Sequence, residues 1–510
     1  MDHIVIGSGP AGVATATALL ARGQSVTMLD GGQVLEPSRA AARDRLAARA
    51  SVEWTEPDRK DWQAAQSGGA SGQVRRFGSD FAMEPASGTF AEGQERFLLR
   101  ASLAVGGLSN LWGAAVLPYA DLDMAGWPIN GSDLRPHYRA VADFLPMSGR
   151  QDDLANLFQV LPMAGFAPLP PSPQAEQLMA RFAHKSARLT AMGLTAGQAR
   201  QAVAPDCRQC GQCLHGCPWG LIWSAEKQVA QLKANPCFTH RPGALVIGFA
   251  EDADGITLHL ASGESLRGAR AYLAAGVLGT ARILLSSLPA LPALTVKDSA
   301  HGFLPALHRW HSPRRPDRGR FHTLPQAFLE LAAPDLSPHL IHSQLYSWND
   351  HFERDLIARY GRRLPGSAPL WRALARRLIV SQIFLHSDHS ARARLTLTVD
   401  GRLKADVQHN RATAPLFASA VRRIGSGLKL AGLTPLPFVA HLNPAGSSFH
   451  AGASLPMGGT ADGPSSDLLG RPLGMSRLHI TDASVLPAIP ATTITLAVMA
   501  NAHRIGSLVP

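Results

Sequence analysis

HIVIGSGPAGVATATALLARGQSVTMLD, residues 3–30, carries a strand, a glycine turn, a helix and a second strand in one continuous stretch. Ile4, Val5 and Ile6 form a short apolar run, and Gly7, Gly9 and Gly12 follow at G-x-G-x-x-G spacing. That spacing serves a tight turn, a close approach of backbone to a pyrophosphate, and packing of the next helix on its strand. The helix expected from about Pro10 to Ala21 points its first N–H groups at the phosphates. Val26 to Leu29 forms the second strand, and Asp30 stands at its end, where a carboxylate accepts hydrogen bonds from a ribose. A glycine fingerprint alone is weak, but here strand, helix, second strand and terminal acid arrive in register. The stretch predicts an α/β chain with a Rossmann-like dinucleotide-binding domain.

At 510 residues the chain is long enough for two or three structural units. The net charge of +11 is carried mostly by scattered arginines, which argues against a nucleic-acid footprint. One denser stretch, Arg359 to Arg377, sets Arg372, Arg376 and Arg377 among Leu370, Trp371, Leu374 and Leu378. That spacing suits a solvated amphipathic helix or a peripheral membrane contact. No apolar run reaches membrane-spanning length, and the nucleotide fold occupies the positions of a signal peptide, so a cytoplasmic location is expected. Export with a partner stays open.

Further along, residues 31–95 have little periodicity and are expected to cross the surface with short helices. RASLAVGGLSNLWGAA, Arg100 to Ala115, packs small residues around Trp112, which lets a flat ligand lie against backbone. A helix starts near Asp133, with Ser132 or Asp133 as its cap. Leu245 to Gly276 alternates like a three-stranded antiparallel meander that runs into a second strand–glycine–helix junction at Gly276, Gly279 and Arg282. Residues 300–325 look loop-like and basic. HLIHSQLYSW predicts a strand, RLTLTVDGRLKADV a hairpin turning at Asp400-Gly401, and Ala414 to Leu430 a helix.

Cys207, Cys210, Cys213 and Cys217, followed by Pro218, hold four of the five cysteines at the C-x2-C-x2-C-x3-C-P spacing of bacterial ferredoxins. An iron–sulfur cluster is favoured over structural zinc or an empty cysteine-rich loop. In two-cluster ferredoxins the fourth cysteine of such a run serves the other cluster, and this chain has one run. Cys217 closes a 4Fe-4S cluster, Cys237 supplies the fourth ligand, or the cluster is 3Fe-4S; the first is favoured.

Five ordered segments resemble the glucose-methanol-choline (GMC) oxidoreductases, FAD enzymes that oxidise alcohols. They are the nucleotide fold, VGGLSNLWG, LAAGVLGTARILLSS, SFHAGASLPMG at Ser448 to Gly458, and HITDASVLPAIPATTITLAVMANAHRIG. The resemblance implies an FAD-binding domain in three pieces, 1–150, 190–299 and 441–510, with a substrate domain of antiparallel sheet over 300–440. Gly7, Gly9, Gly12 and Asp30 would hold the ADP half of FAD, and Gly106, Ser109, Asn110, Asp482 and Ala483 would approach the ribityl chain and isoalloxazine. His450 would take the alcohol proton while hydride leaves for the flavin, a task suited to a group titrating near neutrality. The family's second catalytic residue, Asn or His, aligns with Thr493, a poor base; Asn501 and His503 are further candidates. Leu111 stands where some members attach FAD through a histidine, so the flavin is expected to be noncovalent.

Some GMC dehydrogenase subunits resembling this chain also carry such a cluster. The expected activity is FAD-dependent dehydrogenation of an alcohol, a sugar hydroxyl included, with electrons leaving through the cluster to an acceptor protein or quinone. The alternatives are an oxygen-using alcohol oxidase with a structural cysteine loop, and a noncatalytic flavin or iron–sulfur redox sensor or electron-transfer protein.

Overall fold

The computed structural model describes residues 3–63, 76–83, 89–90, 97–309, 321–361, 366–459, 463–472 and 474–509. Its centre is a five-stranded parallel sheet in the order Leu478–Ile480, Arg270–Leu273, His3–Ile6, Val26–Asp30, Phe238–Pro242. The first strand, HIVI, is buried along its whole length, as a parallel strand covered on both faces must be. Helix Pro10–Ala21 starts with proline at its first turn and shows little amphipathicity, because it too is enclosed. Helix Thr495–Leu508 covers it so closely that a Cβ on Gly506 would lie 2.9 Å from the Thr15 carbonyl oxygen.

A second, seven-stranded antiparallel assembly runs Leu433–Pro435, His301–His308, Leu378–Phe384, Ile341–Tyr346, Ala327–Leu331, Leu194–Gln198, with His441–Leu442 also on the edge of His301–His308. One face packs Leu304, Leu329, Ile341 and Ile383 into an apolar core with Phe417, Ala420 and Ile424 of helix Thr413–Leu430. The other face carries His301, Phe384, His342 and Glu330 side by side. A four-stranded sheet, 403–408, 392–397, 294–298 and 451–452, joins the two halves of the molecule, and a three-stranded meander flanks the parallel sheet. The expected α/β class, with its antiparallel second domain, is the observed one.

Several local expectations change. Residues 301–308 form a strand with alternating burial, although HGFLPALH, with its histidines, glycine and proline, looked like loop. Residues 310–320, the rest of that basic stretch, lie outside the described residues. The third run of the meander splits at Ala269: Ser265–Gly268 completes the meander, and Arg270–Leu273 enters the parallel sheet. The helix near Asp133 spans Gly131–Ala142, and its cap is Asn130, whose side chain accepts from the N–H groups of Ser132 and Asp133. Leu194–Gln198, assigned from sequence to an FAD-binding piece, pairs instead with Ala327–Leu331 in the antiparallel sheet. Helix Ala368–Ala375 forms within the arginine-rich stretch, with Leu370 exposed and Arg372 near Glu353; residues 362–365 are outside the description. Among the described residues no helix is long and apolar enough to cross a membrane.

Candidate active site

A cavity of about 510 Å³ opens at the carboxyl ends of the parallel strands, the place where such sheets bind nucleotides. Each fingerprint glycine meets a different demand there. Gly7 has φ +108°, and a Cβ on it would sit 2.3 Å from the Ala274 carbonyl oxygen. A Cβ on Gly12 would sit 1.9 Å from the Gly7 carbonyl oxygen, so the helix could not close on its own turn. Gly9 meets no atom within 4 Å and lines the cavity, leaving open space at the helix N-terminus where a pyrophosphate would lie.

Two substitutions separate these roles. Gly7→Ala is expected to destabilise the fold by about 2–4 kcal/mol through strain and clash, read as a lowered Tm. Gly9→Ala should leave the Tm of flavin-free protein unchanged and lower the FAD bound per chain, because its methyl group invades only the cavity. Equal Tm losses in the two variants would contradict the assignment.

At one end of the cavity the Asp30 carboxylate is held by His240 Nε2 and by the Gly32 N–H, each at 2.9 Å. Leu245, Val246 and Ile247 line the same region, and no motif had marked them. Arg100 to Ala104 and Arg282 add further walls. At the other end Asp482 and Ala483 line the cavity. Asp482 accepts from Thr280 Oγ1 at 2.5 Å and from the Ser484 N–H at 2.9 Å, and burial pushes its carboxyl pKa up.

The loop after Arg100 presents Gly107 and Leu108 to the cavity. Gly106, Ser109 and Asn110 shape that loop: Asn110 Nδ2 donates to the Val105 and Gly107 carbonyls, and Ser109 Oγ donates to Gly106 and accepts from the Ala225 N–H. Leu111 packs beside Phe81, Ala82 and Ala104.

Phe449 and Ala451 also line the cavity, and His450 between them stacks on Phe384, ring centroids 5.1 Å apart. The His450 backbone is fixed by Ser448 Oγ, which accepts its N–H at 3.0 Å and donates to Asp298 at 3.1 Å. Its Nδ1 is enclosed without a hydrogen-bond partner. Burial, reinforced by His301 and His342, pushes the His450 pKa down to about 3, so the ring is neutral at neutral pH. Three residues on from His450 stands Ala453 at φ +56°, a left-handed conformation that glycine adopts without strain.

Thr493 is near the cavity, next to Ile494 and Thr495 which line it, but its Oγ1 accepts the Leu117 N–H at 2.8 Å. Asn501 accepts from Arg504, and His503 meets His137 at 3.0 Å on helix Gly131–Ala142. Among the described residues no hydrogen bond or ring contact joins Thr493, Asn501 or His503 to His450.

Cys207, Cys210, Cys213 and Cys217 line one small enclosed cavity with Trp219, Leu221, Ile222 and Leu324. Cys237 is exposed ahead of Phe238–Pro242 and takes no part in it. The N–H groups of Thr323 and Leu221 point at the sulfurs of Cys213 and Cys217, at 3.4 and 3.3 Å. Burial pushes the Cys207 thiol up to about 12 and also raises Cys210 and Cys213, so these groups ionise only when a cation compensates them. Tetrahedral zinc at a Zn–S distance of about 2.3 Å needs sulfurs about 3.8 Å apart. Among the described residues the one group with three donor atoms mutually within 4.8 Å is His339, His386 and Asp388, not the cysteines. From Cys217 the chain runs through Trp223, whose carbonyl accepts from Trp112 Nε1, to Ala225 and so to Ser109 in the loop that lines the large cavity.

The fold and cavity are those of an α/β protein with a glycine-turn cavity at the carboxyl ends of its parallel sheet and a second, antiparallel sheet. Residues 405–502 match the family model of the GMC oxidoreductase C-terminal domain, a span that includes His450, Asp482, Ala483 and Thr493. Among solved structures the chain is similar to pyridoxine 4-oxidase from Mesorbium loti, at 15% identity and a TM-score of 0.56, over 99% of this chain and 98% of that one. No curated protein matches the chain by sequence.

Proposed function

We propose that the chain is an FAD-dependent alcohol dehydrogenase of the GMC type, passing electrons through an iron–sulfur cluster to an external acceptor protein or quinone. The observation that carries the reading is one cavity bounded by the fingerprint glycines and Asp30 at one end and by Asp482, Ala483 and the flanks of His450 at the other. The FAD fit rests on the open space at Gly9, and on Asp30 and Asp482 as acceptors for ribose and ribityl hydroxyls. When bound, FAD supplies a two-electron acceptor for the carbinol hydride. The chain's own part is to hold the alcohol, exclude water and receive the hydroxyl proton at His450, whose neutral imidazole has a free lone pair for it. The four thiols around one enclosed cavity, at the C-x2-C-x2-C-x3-C-P spacing, are what supports a cluster, with Cys217 as the fourth ligand.

Anaerobic mixing of FAD-loaded protein with pyridoxine, benzyl alcohol and D-glucose, with iron and sulfide quantified beforehand, tests the reading. Bleaching of the flavin by one of them is expected; a flavin that none of a broad alcohol panel bleaches would sink it. The likeness to pyridoxine 4-oxidase favours a second reading, an oxygen-using oxidase with a structural cysteine loop. That reading requires full-rate turnover with oxygen as the only acceptor and no iron.

The flavin should be noncovalent, since Leu111 offers no nucleophile. Acid precipitation is expected to release all the yellow colour as free FAD, and colour retained in the pellet would contradict this.

A further inference from the structure

The antiparallel sheet sets a row of side chains across its polar face. Cα register places His301 opposite Phe384, Phe384 opposite His342, His342 opposite Glu330. In that row His342 and Glu330 are both fully buried, and His342 Nδ1 lies 2.6 Å from Glu330 Oε1. A carboxylate so placed fixes the tautomer: Nδ1–H donates to Glu330, and Nε2 keeps its lone pair. His342 Nε2 is buried and has no hydrogen-bond partner. This is the arrangement of a general base oriented by an acid. His450 lacks it, although its ring and that of His342 both contact Phe384, with centroids 5.1 and 5.9 Å away.

Both imidazoles therefore carry an enclosed nitrogen with no partner, Nδ1 on His450 and Nε2 on His342. Buried polar groups are almost always satisfied, by ordered water where protein does not reach them. We infer that the His342–Glu330 pair is the proton store of the site, taking from His450, through a bridging water, the proton that the alcohol gives up. The inference rests on the alcohol-oxidising reading above and goes beyond it, since it says where the proton ends. In the step, the C–H bond breaks with its electron pair going to the bound flavin, and the O–H proton passes to His450 Nε2. His450 then loses Nδ1–H to the water, the water loses a proton to His342 Nε2, and the imidazolium so formed stays paired with the Glu330 carboxylate. His342 is thus a relay residue acting through His450. It fills a need that Thr493, committed to the Leu117 N–H, does not meet. A desolvated His450 is a poor resting place for the charge.

The test uses FAD-loaded protein and whichever of pyridoxine, benzyl alcohol or D-glucose bleaches the flavin. Glu330→Gln keeps the shape and removes the charge. It should slow flavin reduction by about tenfold or more, within the range of acid–base effects, with the alcohol's Kd changed less than twofold. The acid limb of the pH profile separates a relay from mere packing. Loss of the Glu330 charge disfavours imidazolium on His342, so the limb should move to lower pH while the maximum falls. Arg200 and Asp123, which face Glu330, and His450, which faces His342 and His301, are unchanged in the variant. Glu330→Asp should keep the limb near its native place. NMR of histidine-labelled protein gives a readout independent of turnover: one strongly downfield Nδ1 proton, absent from both Glu330→Gln and His342→Gln. Native rates with an unmoved limb in Glu330→Gln and His342→Gln, or no such proton in the native spectrum, overturn the inference and leave the alcohol-oxidising reading standing. A native flavin that no alcohol bleaches removes that reading first, and the relay with it.

Discussion

His450→Ala is expected to slow reduction of the bound flavin by an alcohol by about 10²-fold or more, the scale of general-base catalysis, at near-native FAD content. FAD should be retained because the side chains at the cavity wall are those of Phe449 and Ala451, while the His450 ring turns onto Phe384. The backbone of the segment is fixed independently, by Ser448, Asp298 and the pairing of Ala451 with Asp298. Burial also sets a pH expectation. With the pKa of His450 pushed down to about 3, its own protonation should not limit flavin reduction between pH 5 and 8. Anaerobic stopped-flow absorbance measures both quantities, and reduction at the native rate by the alanine variant would mean that the segment has another role.

If Cys207, Cys210 and Cys213 hold the proposed cluster, replacing them together with Ser should remove the bound iron and sulfide and leave reduction of the flavin by substrate largely working. Reoxidation by a large one-electron acceptor such as a cytochrome should fall to the background rate. Hydride transfer loads two electrons at once, whereas an iron–sulfur cluster passes them singly, so its use is to serve a carrier that cannot reach the flavin. The cysteine cavity is joined to the flavin-side loop by the short segment from Cys217 to Ala225. FAD content reports whether the fold survives the triple change. A cluster-free protein that reduces the cytochrome as fast as the native one would end the relay idea, and so would native enzyme running at full rate on oxygen alone.

Features that depend on neighbours in the chain were legible in the sequence. The fingerprint could be read because each glycine answers a local demand, and the hairpin 392–408 because its strands alternate around an Asp-Gly turn. Asp30, at one end of the cavity, was legible for the same reason, whereas Asp482 at the other came only through the family resemblance. The strand 301–308 was not, since its histidines and proline hide an alternation that only burial reveals. The row of His301, Phe384, His342 and Glu330 had no signature at all: four strands spread over residues 301–384 bring it together through their register. Gly106, Ser109 and Asn110 lie in the loop whose Gly107 and Leu108 line the cavity, and which atoms face it depends on how that loop folds back on itself.

The helix Thr495–Leu508 lies against Pro10–Ala21, and the strand Leu478–Ile480 completes the sheet that begins with His3–Ile6. During synthesis the fingerprint therefore waits, with its apolar strand and helix uncovered, until nearly five hundred residues have followed it. Contacts of such sequence separation form late and slowly. The cavity, which Thr495 and Val498 of that helix help to line, is thus completed only once the C-terminal segment has docked.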